Sequence, residues 1–425
     1  MQPSFQPAPV PPIVHLSLVI GGRLLDREGD RLGTVDDVIV RLEGEYPPVS
    51  GLLATVAGRP VFVPAEAVSE IAHGHVTLRR ASLDLRPFER RSQEVLLKKD
   101  VLDRQLINVE GARLVRANEI ELARLDGWYR VVGVDIGLRG IARRVVPRRL
   151  AGRIRLGQFL DWASVEPFTG HVPTVRLRVP HPKLARLHPA QLADLVEAAS
   201  HREGGEIIQA VGGDEELEAD VFEELDSQHQ REFLDERSDE EVARVLARMQ
   251  PDDAADALGD LAEDRRERVA ELLPLLQRRK VRALVGFDPA TAGGLMSPEF
   301  VCVYDSATCA EALERVRTSR SSAETLAWVY VMARSKRLRA AIPLADLLRA
   351  DSDAEIGDVA VFAPPRTGPD ADVEELARLM TDYDLTVVPV TDDRDQLMGV
   401  VTVDDVLELV LPKGWRRRFD LLGGE

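Results

Sequence analysis

Carboxylates are the groups this sequence supplies most freely for chemistry. Of 425 residues, 72 are Asp or Glu against 55 Lys or Arg. The first 150 carry 22 basic and 19 acidic side chains, net +3, so the remainder holds −20. An acidic C-terminal two-thirds argues against nucleic acid as a partner there and leaves cation binding open. Cys302 and Cys309 are the only cysteines, with no second pair and no histidine close by. That speaks against a zinc site or a disulfide framework and fits a reducing cytoplasm. The eight histidines are scattered, and His181 and His188, seven apart at a helix entry, read as cap or surface groups. The sequence has no G-x-x-x-x-G-K-[ST], G-x-S-x-G or H-E-x-x-H motif, so a non-enzymatic role is expected.

The elements that would position these acids fall into several parts, as the length predicts. Residues 1–15 are proline-rich, without the basic start and apolar core of a signal peptide, and read as a disordered tail. No stretch approaches the roughly 18–20 apolar residues that cross a bilayer. Residues 19–54 align with 101–136 without a gap at a shift of 82. Leu24/Leu106, Glu28/Glu110, Gly29/Gly111, Arg31/Arg113, Leu32/Leu114 and Gly51/Gly133 are identities. An E-G turn between short alternating strands in each copy predicts a small antiparallel β-barrel made twice, over 16–80 and 95–150. This pattern resembles tandem PRC-barrel domains, which implies a docking role. An arginine-rich segment, 139–155, and a proline-marked stretch complete a linker over 151–180.

From Leu187 the period changes. QLADLVEAA, EADVFEELD, DEEVARVLARM and PDDAADALGDLA carry apolar residues at i, i+3, i+4 spacing behind acidic starts. Ser238 with Glu241 has capping-box form, and Pro251 sits where a helix favours it. Such short helices predict a solenoid-like array over 181–289. ATAGGL, at 290–295, joins it to a second duplication over 296–350 and 356–411, each copy a β-α-β-β-α unit. The first strands, VCVY and VAVF, align at a shift of 58 and the last at 59. TVVPV followed by GVVTVDDV resembles a CBS domain, so two in series imply a CBS pair. The expected fold is thus multidomain α+β, ending in a basic tail at 412–425.

PDDAADAL, TAGGLMSPEFVCV and MGVVTVDDVLELV, in that order, closely resemble the cytoplasmic part of MgtE-type magnesium channels and transporters. The resemblance implies a cytoplasmic magnesium sensor, homodimeric through its CBS units, whose facing acids repel until Mg2+ bridges them. Carried over by motif, the CBS-side acids are Asp372, Glu374, Asp384, Asp405 and Glu408. Those of the helices are Asp252, Asp253 and Asp256, with Asp220 or Glu224 one helix pair earlier. CBS pairs that bind adenosine nucleotides hold the ribose with a hydroxyl residue and an Asp three positions on. Thr402 and Asp405 match that pattern, whereas the first unit offers Pro343 and Asp346. The family's acidic connecting helix and membrane domain are replaced by LVLPKGWRRRFDLLGGE, which implies a stand-alone sensor acting on a partner, such as a separate membrane transporter, through the PRC-like part. Gly293 and Gly294 read as a helix stop or a hinge, because glycine adopts backbone angles that other residues resist.

Overall fold

The computed structural model describes residues 12–80, 89–91, 93–137, 159–168, 183–319, 321–360 and 362–411. The arginine-rich segment 139–155, His181 and the basic tail 412–425 lie outside them. The chain divides into two compact units, Met1–Leu225 and Asp226–Glu425, a boundary that falls inside the expected helical domain.

In the first unit β1 (Val14–His15) and α1 (Leu16–Val19) lead into β2 (Arg23–Leu25), β3 (Arg31–Arg41), β4 (Val49–Val56), β5 (Arg59–Pro64), β6 (Val68–Ala72) and β7 (His75–Leu78). The second copy begins with β8 (Glu94–Leu96) and continues through β9 (Gln105–Asn108), β10 (Arg113–Arg116), β11 (Glu119–Leu125), β12 (Trp128–Asp135), β13 (Phe159–Asp161) and β14 (Val165–Pro167). One sheet runs β5-β4-β3-β2-β7-β6, a second β1-β11-β12-β13 and a third β10-β9-β14. Residues 159–168, expected in a linker, therefore belong to the β fold. A 3-10 turn, Ala65–Ala67, separates β5 from β6, and its counterpart Trp162–Ser164 lies 97 positions on. The gapless repeat ends where it does because the second copy is longer at that point.

The copies exchange their leading strands. β1 of the first copy pairs with β11 of the second, Val14 opposite Leu122. In return β8 pairs with β3, Val95 opposite Val40. Val14 and His15, expected in the tail, belong to β1 instead, and Val14 is buried. One hydrophobic core takes side chains from both copies, Leu16, Val38 and Leu52 beside Leu97, Ile120 and Leu122. Equivalent carboxylates hold each exchanged segment. Asp37 accepts hydrogen bonds from the backbone N–H of Val38, Lys98 and Lys99 at 2.8, 2.8 and 3.1 Å. Glu119, 82 residues later, accepts from the N–H of Ser17 at 3.0 Å and from its hydroxyl. Burial pushes the Asp37 carboxyl up to about 6 in spite of those bonds. Three helices close the unit: α2 (Pro189–Ala198), α3 (His201–Val211) and α4 (Glu215–Glu224). His188 caps α2 in a box with Gln191, as its position predicts.

The second unit opens with α5 (Ser227–Asp235), α6 (Asp239–Leu246), α7 (Pro251–Gly259), α8 (Glu263–Leu272) and α9 (Leu275–Leu284). α6 packs on α8 and α7 on α9. Helix starts follow local chemistry, with Ser238 and Glu241 forming the expected box. Helix ends do not. Arg265 donates to the carbonyls of Leu234 and Arg237, and Arg266 to those of Leu258, Gly259 and Leu261. These side chains satisfy carbonyls that a short helix leaves without intrahelical partners.

After α10 (Ala292–Leu295) come β15 (Val301–Tyr304), α11 (Cys309–Thr318), β16 (Trp328–Met332), β17 (Leu338–Pro343), α12 (Leu344–Leu347), α13 (Ile356–Val359), α14 (Val373–Asp382), β18 (Val387–Thr391), β19 (Leu397–Thr402) and α15 (Val403–Val410). β15 runs parallel to β16, and β16 antiparallel to β17. Among the described residues the strand expected over VAVF is not seen: Val359 ends the helix Ile356–Val359, and the pairing equivalent to β15 on β16 is Thr367 bridging Val390. The helix caps Thr308 and Asp372 are accordingly 64 apart, while Val331 and Val390 are 59 apart. These copies cross-pair too, Phe362 bridging Ala341 and Ser297 bridging Val400. Tyr330 is buried at their common core, with Trp328 half-buried beside it.

Candidate metal and nucleotide site

The acids that the structure brings together lie at the head of α15. Thr402 donates its hydroxyl to Asp405 and its N–H to the same carboxylate at 3.4 Å, closing a capping box. Burial raises the Asp405 carboxyl to about 6; Thr402 acts against that shift, and Asp404 and Glu408 add to it. The N–H of Val403 donates to Thr386 at 2.9 Å. That bond ties Thr386, two residues after Asp384, to the first residue of α15. Asp384 is exposed with φ of 52°, a left-handed conformation that Asp tolerates better than most residues. Asp404, Asp405 and Glu408 offer carboxylate oxygens, the ligand type that Mg2+ takes, but no three of these acids and Asp384 have oxygens within 4.8 Å of one another; among the described residues Asp26, Glu28 and Asp30 do. Asp404 was missed from sequence; its place beside Asp405 in VDDV was the available signal.

The other candidates have visible structural work. Asp372 caps α14 by accepting from the N–H of Glu375 at 2.9 Å, and its backbone bridges Thr291. Glu374 is exposed in the same first turn. Asp252 and Asp253 open α7, where negative charge favours a helix start. Crowding by surrounding protein, then by Asp260, raises Asp256 to about 6, although its side chain is exposed. α7 packs on α10, and Asp372 bridges Thr291, the residue before α10. Asp220 and Glu224 lie on α4 in the first unit. Surrounding protein, then Glu216 and Asp214, push the Asp220 carboxyl above its ordinary range. Asp346 is exposed and paired with Arg349 at 3.0 Å.

Gly293 and Gly294 are not in the left-handed region. A Cβ on Gly293 would stand 2.5 Å from the Phe287 ring, and one on Gly294 2.3 Å from the Asp288 carbonyl oxygen. Close packing, rather than backbone freedom, requires glycine at both positions.

This arrangement of short acidic helices, glycine joint and duplicated α/β units matches known proteins over the same residues. The MgtE intracellular N domain model covers 187–290, and the CBS domain model covers 356–412. The chain carries an MgtE N domain and a CBS domain. The magnesium transporter MgtE of Thermus thermophilus is 36% identical over 195 residues, 45% of this chain and 43% of that protein. The Enterococcus faecalis magnesium transporter MgtE is 34% identical over 131 residues, 31% of this chain and 29% of that protein. The chain therefore spans less than half the length of these curated relatives. A crystal structure of the cytosolic domain of the Mg2+ channel MgtE in complex with ATP is 34% identical, with a TM-score of 0.50. It covers 53% of this chain and 92% of its own. Among the described residues no helix is long and apolar enough to cross a membrane.

Proposed function

We propose that this chain is a magnesium-responsive regulatory module of the cytoplasm. When Mg2+ occupies the acids about α15, the helices of the MgtE N domain close on the CBS pair. The observation that carries this reading is the half-buried Asp405 with Asp404 and Glu408 as acidic neighbours, on a frame similar to the cytosolic domain of an Mg2+ channel. A divalent ion with oxygen ligands offsets the repulsion among such carboxylates and the cost of keeping Asp405 charged while half-buried. The module works as a homodimer through the CBS pair. In support, Tyr383, Leu407, Leu409 and Val410 leave an apolar face about 45–55% exposed on the second CBS unit. The duplicated β unit, with its PRC-barrel-like sequence, docks the module on a partner such as a membrane transporter.

A second reading has an observation of its own. Thr402 and Asp405 have the spacing that holds a ribose, and the similar structure is described as a complex with ATP. Limited proteolysis separates the two. With millimolar Mg2+, cleavage within 181–295 should slow several-fold, and Asp384→Asn with Asp405→Asn should abolish the effect. Asparagine is chosen because it tolerates the left-handed backbone at 384. Equal cleavage with and without the ion would sink the magnesium reading. Protection by ATP alone would favour the nucleotide.

A further inference from the structure

The joint between the MgtE N domain and the CBS pair looks in sequence like the place for a swing. Its bonding is that of a fixed part. The N–H of Ala292 donates to Ala371 and that of Gly293 to Pro369, both at 2.8 Å. Thr291 bridges Asp372. Gly294 and Leu295 donate back to Thr291 at 3.0 Å. Ser297 and Val400 exchange both backbone hydrogen bonds, at 2.8 and 2.9 Å. Met296 and Ser297 are nearly fully buried. Gly399 lets them approach so closely that a Cβ there would stand 2.9 Å from Met296 Cγ and from the Ser297 carbonyl oxygen. The upstream side is closed as well. The Phe287 ring lies against Gly293, the Asp288 carbonyl accepts from Thr291, and Lys280 of α9 pairs with Glu299.

We infer that residues 285–297 form a rigid strut fastening α9 to the second CBS unit, and that any swing of the helical domain happens upstream of Leu284. The strut ends on both groups of CBS-side acids. Thr291 meets Asp372 at the cap of α14, and Val400 lies two residues before Thr402, whose side chain bonds to Asp405. A displacement of α9 would therefore reach those acids directly, with no slack to absorb it. Movement of the helices with Mg2+ rests on the reading proposed above. The rigidity of the joint does not.

Hydrogen exchange on the full chain, with and without millimolar Mg2+, tests the strut. The amides of Ala292, Gly293, Ser297 and Val400 should exchange at least about 100-fold more slowly than an unstructured peptide in both conditions. Magnesium should change none of them by more than about threefold. Exchange near the peptide rate at these amides, or an ion-dependent change above about tenfold there, would overturn the inference. If Mg2+ alters no amide anywhere, the magnesium reading fails, while protection without the ion still decides the strut. Gly399→Ala should cost Ser297 and Val400 at least about tenfold in protection while the β16 amides keep theirs. Unchanged protection at Ser297 in that variant would also count against a strut that depends on this close packing.

Discussion

Asp405 serves two conflicting requirements. Its hydrogen bonds from Thr402 favour the charged form, while burial and two acidic neighbours oppose it more strongly. A carboxyl raised from 3.8 to about 6 binds its proton more tightly in the folded chain than in the unfolded one. Its contribution to stability is complete below about pH 4 and is lost as pH rises through about 6. Asp405→Asn should therefore stabilise the protein at pH 7.5 by on the order of 1 kcal/mol, allowing for partial solvent screening. At pH 4 it should gain little. Wild-type stabilisation by Mg2+ should weaken as pH falls below about 6, because proton and cation compete for one group. Calorimetric unfolding at pH 4, 6 and 7.5, with and without the ion, measures all three effects. An Asn variant that is less stable at pH 7.5 would show that the capping bonds dominate. At this scale the sequence was informative where a motif is compact, as in Thr402 and Asp405. It was uninformative where a residue's reason lies elsewhere in the chain: Gly293 is glycine because of a ring six positions earlier.

The elements divide in the same way. Helix starts were legible because Ser238 and Glu241, or His188 and Gln191, are three residues apart and act on each other. Helix ends were not, because the groups that satisfy them, such as Arg265 at Leu234, come from about thirty residues away. The register of the second CBS unit was misread because VAVF alternates like a strand, while the bond that decides the matter joins Thr367 to Val390. Asp37 and Glu119 show how a repeat can preserve a tertiary role without preserving a residue. Each carboxylate holds the first turn of the other copy. Asp37→Ala would leave the part-buried N–H groups of Lys98 and Lys99 without this acceptor and should cost about 1–3 kcal/mol. A denaturant midpoint equivalent to a loss below about 0.5 kcal/mol would contradict that role.

Across the whole molecule, two duplications are each tied by exchange between their copies, at β1 and β8 in one and at Ser297 and Phe362 in the other. Sequence comparison revealed both duplications, but alignment alone does not tell which copy a strand will pair with. Neither half of the β unit is complete alone. A fragment of residues 12–91 would lack the β8 partner of β3 and leave β1 without β11. It should associate with itself, each copy lending β1 and taking one in return, or fail to fold; a well-folded monomer by light scattering would refute this.

Strand exchange also has a consequence for biosynthesis. Val14 waits for Leu122, so β1 leaves the ribosome about a hundred positions ahead of its partner strand. Until then β1 and the apolar residues of α1 have no finished sheet to join. Long-range closure of this kind is slow. The nascent β unit therefore depends on its opening segment staying uncommitted during translation, and a pause placed before β11 would prolong its exposure to aggregation or misassembly.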